Sequence, residues 1–159
     1  MIHLAGLNQL RELGLSGTKV TDDGLGQLRG LTRLHRLYLN EVKLTDAGMT
    51  HIEGFTELRS LTLNKTGITD AGLAHIAKLR HLQVLAIGCD KLTDGGVAHL
   101  SELKELQRLC LLGPAFTDAA LPHLKGLTSL RELIVWDSKI TDRGSEQLKK
   151  VIPNVEIIR

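Results

Sequence analysis

Six aspartates, each preceded by a threonine, are the first residues in this sequence whose spacing suggests chemistry. Thr-Asp recurs at 21–22, 45–46, 69–70, 93–94, 117–118 and 141–142, a step of 24 residues each time. A row of carboxylates beside hydroxyls offers the hard oxygen ligands that calcium takes. The same pair also has a structural use. At a helix start a Thr side chain accepts from a free backbone N–H, and an acid in the first turn complements the helix dipole. The structural reading is the stronger for all six pairs. A second column at the same period holds His51, His75, His99 and His123, with His3 ahead of it and Gln27 and Gln147 in the same position. Packed helices lie ~8–10 Å apart, whereas a metal needs its nitrogens within about 2.1 Å, so one ion cannot collect this row. Hydrogen bonds between neighbouring helices are the expected use of these histidines, and no metal site or cofactor is expected.

Nucleophilic chemistry is as thinly supported. Cys89 and Cys110 are the only cysteines, and they sit three residues out of register in adjacent repeats, which argues against a disulfide. A redox or small-ligand site at Cys110, activated by Arg108, is conceivable. Apolar neighbours, however, raise a thiol's pKa. The sequence contains no HExxH, GxSxG, GxxxxGK[ST], GxGxxG or CxxC motif. Asn64-Lys65-Thr66 matches a glycosylation sequon, a pattern common by chance. An enzyme is not expected.

The elements that carry these residues follow from the same period. Leu10, Leu34, Leu58, Leu82, Leu106 and Leu130 form one column, and Leu13, Leu37, Leu61, Leu85, Leu109 and Leu133 another. A third holds Leu15, Leu39, Leu63, Ile87, Leu111 and Val135, and a fourth Val20, Leu44, Ile68, Leu92, Phe116 and Ile140. Leu13 and Leu15 alternate with Glu12, Gly14 and Ser16, which predicts a short strand. Leu25 and Leu28 share a helical face, and Gly30 supplies a stop, which predicts a helix over about 22–29. Gly24, Gly48, Gly72, Gly96 and Gly144, with Ala120 as the exception, let the first helical turn approach its neighbour. Strand, helix, strand in one direction makes a parallel sheet. Strands ~4.8 Å apart against helices ~8–10 Å apart curve the stack with its sheet inside.

The pattern LxxLxLxxTxVTDxGLxxLxxL resembles the leucine-rich repeats of the ribonuclease-inhibitor-like class, in particular bacterial 24-residue Thr-Asp-x-Gly repeat proteins and, more distantly, the repeats of F-box substrate receptors. The resemblance covers the whole chain and implies an α/β fold: a right-handed solenoid arc with a concave parallel sheet and short convex helices. It also implies a binder or scaffold, since such proteins hold many kinds of partner. No F-box is present, so the ubiquitin-ligase role of those relatives is not carried over. The expected organisation is one domain over 1–159, about six repeats, beginning mid-repeat.

The strand positions that the core does not claim carry the information about a partner. In order they are Glu12, Gly14, Ser16; Arg36, Tyr38, Asn40; Ser60, Thr62, Asn64; Val84, Ala86, Gly88; Arg108, Cys110, Leu112; and Glu132, Ile134, Trp136. The first three rows are polar and the last three turn apolar. Val84, Ala86, Cys110, Leu112, Ile134 and Trp136 are therefore expected to form a contact surface for a protein or peptide, with Arg108 and Glu132 as charged members. Packing against the chain's own tail is the competing explanation. Arg36, Tyr38 and Asn40 make a second, smaller candidate site.

Lys plus Arg at 20 against Asp plus Glu at 18 gives a net charge of +2, far from what phosphate backbones select. No apolar run approaches the ~18 residues of a membrane helix. Nucleic acid and membrane are not expected partners, and two cysteines suggest a reduced, cytoplasmic compartment. Met1 aligns with Leu25, so the pattern opens inside a helix. This predicts residues upstream, a second copy against that end forming a homodimer, or a makeshift cap over 1–6. At the other end Ser145 replaces an apolar residue, Lys149 and Lys150 make the surface polar, Pro153 breaks the period, and Val155 and Ile157 are expected in a last edge strand.

Overall fold

A computed structural model describes residues 2–159; what the pattern predicts for Met1 lies outside them. Seven strands alternate with helical turns: β1 (Glu12–Gly14), β2 (Arg36–Tyr38), β3 (Ser60–Thr62), β4 (Val84–Ile87), β5 (Arg108–Leu111), β6 (Glu132–Ile134) and β7 (Glu156–Ile158). They form one parallel sheet in the order of the chain. Within the strands each residue faces the one 24 positions further on, as in Leu13↔Leu37, Leu61↔Leu85 and Leu133↔Ile157. The period read from the sequence is thus the register of the sheet. The inward leucines of this register are shielded on both sides: Leu37, Leu61, Leu85 and Leu109 have no exposed surface, and one continuous apolar core runs through all repeats.

On the other face lie α1 (Asp22–Gly26), α2 (Asp46–Met49), α3 (Asp70–Ile76), α4 (Asp94–Val97) and α5 (Asp142–Val151). The internal helices are shorter than the expected eight residues. The glycines explain much of this, since each costs ~1 kcal/mol of helix propensity: α1 contains Gly24 and Gly26, and α4 contains Gly95 and Gly96. The helix in the fifth repeat, Asp118–Leu124, is a 3-10 helix containing Pro122, which has no N–H to donate.

The Thr-Asp pairs join the repeats. Thr45, Thr69, Thr93 and Thr117 each cap their own helix, accepting from the N–H two residues on, and Thr141 accepts from Gly144 N–H. Thr21 makes no such bond, contrary to the expectation. Each aspartate does more than complement a dipole. The Asp22 carboxylate accepts from the N–H and the hydroxyl of Thr45, at 2.9 and 2.6 Å. Asp46, Asp70, Asp94 and Asp118 do the same to Thr69, Thr93, Thr117 and Thr141. At the end of this ladder Asp142 pairs instead with Arg159.

The glycine column is explained by the same bonds. A Cβ on Gly48, Gly72, Gly96 or Gly144 would overlap the carboxylate of Asp22, Asp46, Asp70 or Asp118 respectively. The repeat that carries a methyl here, at Ala120, is the one wound as a 3-10 helix throughout. Ser145, which replaces an apolar residue, keeps that column's burial, with its hydroxyl unpartnered among the described residues.

Two stability predictions follow. Gly95 and Gly96 are adjacent in α4, yet a Cβ on Gly95 meets only ordinary contacts at 3.4 Å and beyond. In urea titrations Gly95→Ala is expected to stabilise by about 0.5–1 kcal/mol, whereas Gly96→Ala is expected to destabilise by roughly 1–3 kcal/mol. Two shifts of the same sign would contradict the ladder. The Asp118 carboxyl lies below its ordinary value, chiefly because the Thr141 hydroxyl and then the Thr141 N–H donate to it, with Arg143 and Arg159 adding to the effect. A depressed folded-state pKa gives stability that is complete above the unfolded value near ~3.9 and is lost as pH falls through the folded value. The urea midpoint should therefore drop below about pH 4, and Asp118→Asn should flatten part of that drop.

Candidate functional site: the outer face of the sheet

The 24-residue register lines the outward side chains up in rows across the strands. One row runs Glu12, Arg36, Ser60, Val84, Arg108, Glu132, Glu156, and the next Gly14, Tyr38, Thr62, Ala86, Cys110, Ile134, Ile158. Past the strand ends follow Ser16, Asn40, Asn64, Gly88, Leu112 and Trp136.

Over β4–β7 the face is apolar. Val84, Ala86, Cys110, Leu112 and Ile134 are half-buried, and Trp136 is 52% exposed. The tail does not fold over them; it extends the sheet, adding half-buried Ile158 beside Ile134. Ile158 belongs to this surface and was not among the expected residues, because Pro153 interrupts the column pattern just before it. Its signal was the alternation in Val155-Glu156-Ile157-Ile158. Arg108 Nε donates to Glu132 at 2.5 Å, in the row beside the apolar one.

The polar half is held together differently. Ser16 Oγ accepts from Asn40 N–H, and Asn40 Oδ1 accepts from Asn64 N–H at 3.0 Å, so Asn40 works as a rung between repeats. The next rung is missing. Asn64 Oδ1 is buried with no partner among the described residues, and Gly88 stands where another side chain could have continued the row. A cavity of about 420 Å³ opens there, walled by Asn64, Gly88, Leu112 and Pro114. Cys89 turns inward at this point. Its equivalents Gly17, Glu41, Lys65, Gly113 and Asp137 all have positive φ, whereas Cys89 is buried with its thiol donating to Leu63 O at 2.9 Å.

A second cavity, about 400 Å³, lies at the starts of β1–β4 among Arg11, His35, Arg36, Arg59 and Gln83. Arg36 donates to Glu12 at 2.9 Å, and His35 sits 3.2 Å from Glu57. Of the smaller expected site of Arg36, Tyr38 and Asn40, only Arg36 lines this cleft. Arg11, His35 and Arg59 were not expected here, since they precede the strands by one residue and fall outside the outward set. Arg11, His35, Arg59, Gln83, Gln107 and Arg131 nevertheless form a polar column in the sequence.

The histidine row is dispersed. His75 pairs with Glu53 across adjacent helices at 2.8 Å, and His51 lies over Gly26, but His99 and His123 make no hydrogen bond among the described residues. Among those residues no group of three or more His, Cys, Asp or Glu side chains could hold a metal, and no helix is long and apolar enough to cross a membrane.

No family model and no curated protein matches the chain. Among solved structures it is similar to an internalin from Listeria monocytogenes, with a TM-score of 0.76, 21% identity, and coverage of 99% of this chain and 50% of that one. The leucine-rich repeat fold is thereby shown. A leucine-rich repeat protein of Leptospira interrogans is also similar, with a TM-score of 0.56, 18% identity, and coverage of 100% of this chain and 51% of that one. This leucine-rich repeat chain spans about half the length of each. The narrower resemblance to Thr-Asp-x-Gly repeat proteins rests on its sequence pattern alone.

Within the leucine-rich repeat sheet, both cysteines are free. Burial pushes the Cys110 thiol up from its ordinary value, Glu132 adds to the rise, and Arg108 opposes it. A raised pKa leaves less thiolate at neutral pH. Cys110 is therefore expected to react with iodoacetamide more slowly than a free thiol at pH 7–8, and buried Cys89 only after unfolding. Faster-than-free alkylation of Cys110 would revive a redox site.

Proposed function

We propose that this chain is a non-catalytic protein-interaction module that holds a protein or peptide on its concave sheet, chiefly over β4–β7. The observation that carries the reading is the unbroken apolar surface from Ala86 through Cys110 and Ile134 to Ile158, flanked by Leu112 and exposed Trp136. Nothing in the repeat requires these side chains, since the corresponding positions in β1–β3 are Gly14, Tyr38, Thr62 and Ser16, Asn40, Asn64. Exposed apolar patches that include a Trp are common anchors of protein interfaces. Arg108, paired with Glu132, supplies a charged neighbour on the patch, and Arg36 with Tyr38 offers the smaller polar contact. A single leucine-rich repeat unit over 1–159, a cytoplasmic setting, and no role for nucleic acid or membrane complete the reading.

A second reading is favoured by a different surface. Leu7 is 47% exposed, and Leu10 and Leu13 are partly buried, whereas their equivalents Leu31, Leu34 and Leu37 have no exposed surface. On this reading the chain is an assembly unit or part of a larger repeat protein, with this face against another repeat.

One experiment separates the two. Wild type, Ile134→Glu/Trp136→Ala and Leu7→Glu are compared for folding, for mass in solution, and for proteins retained from native extract. The first reading expects a partner retained by wild type and lost at least tenfold by the double variant, with Leu7→Glu unaffected. A stable dimer dispersed by Leu7→Glu, with retention unchanged in the double variant, would overturn it in favour of the second.

A further inference from the structure

The arginine cleft and the apolar surface lie on different halves of one face, and their chemistry differs. Over β4–β7 the face is apolar and carries Glu132 and Glu156. At the starts of β1–β3 it is basic. There the cleft collects the guanidiniums of Arg11, Arg36 and Arg59 together with His35. Only Arg36 is neutralised by a carboxylate, that of Glu12. Among the described residues the Arg11 side chain reaches only the His35 ring, at 3.4 Å, and the Arg59 guanidinium makes no hydrogen bond or ion pair. Arg108, by contrast, is already held by Glu132. Two planar, fork-shaped donors thus stand unneutralised at the lip of an open cleft, the arrangement that receives a carboxylate through two parallel hydrogen bonds.

We propose that the peptide held on this face carries an Asp or Glu about five or six residues from its apolar anchor, and that Arg59, with Arg11, receives that carboxylate. This rests on the reading of the face as a peptide-binding surface and adds the partner's chemistry to it. The spacing comes from the sheet. From the β2–β3 cleft to Ile134 on β6 is three to four strand intervals of ~4.8 Å, or about 15–20 Å, which an extended peptide spans at ~3.3 Å per residue. The polarity is set as well. At the other end Glu132 is already paired with Arg108, so an acid there would meet the unpaired Glu156, and like charges are disfavoured. The basic cluster is small and the chain's net charge is +2, which favours a single carboxylate over a run of phosphates.

The test uses the full chain against a displayed library of random linear peptides. Enriched sequences should pair an aromatic or large aliphatic residue with an Asp or Glu at the stated spacing. An enriched peptide, synthesised with an amidated C-terminus, should bind Arg59→Glu at least tenfold more weakly than wild type, and affinity should fall as salt rises. Changing the peptide's acid to its amide should weaken binding to wild type but not to Arg59→Glu. Trp136→Ala should weaken binding of both peptides alike. Apolar peptides without an acid, or an acid effect that survives Arg59→Glu, overturn the carboxylate inference and leave the binding face standing. Enrichment insensitive to Trp136→Ala and Ile134→Glu, or no enrichment at all, overturns both. Tight, Arg59-dependent binding of single-stranded oligothymidine in place of peptide overturns the inference in favour of phosphate recognition.

Discussion

The bond from each aspartate to the threonine of the following repeat is the constraint on which the rest of this molecule depends. One carboxylate receives an N–H and a hydroxyl of the next turn, and that same hydroxyl accepts from its own helix, so cap and inter-repeat contact are a single relay. The relay brings successive turns so close that glycine is required beneath most of the carboxylates. It also fixes every repeat at the same length, because an added or lost residue would carry the threonine away from its acceptor. Equal length is what puts the strands in 24-residue register. That register in turn sorts side chains into buried leucine columns and outward rows.

Much of this was legible because the leucine columns repeat without a gap and the strand alternation separates inside from outside. Leu37, Leu61, Leu85 and Leu109 needed no further information to be placed. The aspartate bond was not legible, since Thr and Asp are neighbours in the chain while the partner of each Thr is 23 residues away. A local cap explains the same two letters. Helix lengths were overread because periodicity shows which face is apolar, not where Gly95-Gly96 or Pro122 ends regular winding. The cleft arginines escaped notice for a geometric reason. Arg11, His35 and Arg59 precede their strands, where alternation no longer says which way a side chain points.

The outer face departs from regularity where it turns apolar. A buried carbonyl oxygen without a donor costs about 1–3 kcal/mol, and Asn64 carries one at the boundary where Gly88 replaces the next rung. On the same stretch Cys89 abandons the left-handed turn kept by its equivalents, and Pro114 and Pro122 follow. Asn64, Gly88 and Pro114 line one cavity beside the apolar half of the outer face.

The same irregular stretch has a second consequence, for how the chain finds its structure. In an array of identical units every strand is an equally good neighbour for every other, and docking out of step by one whole repeat would satisfy nearly all the same contacts. Gly88, Cys89, Pro114 and the 3-10 turn holding Pro122 make the fourth and fifth repeats unlike the rest. They act as addresses. A strand that docks one unit away meets the wrong neighbour at these positions, which widens the gap between the native order and its translated copies.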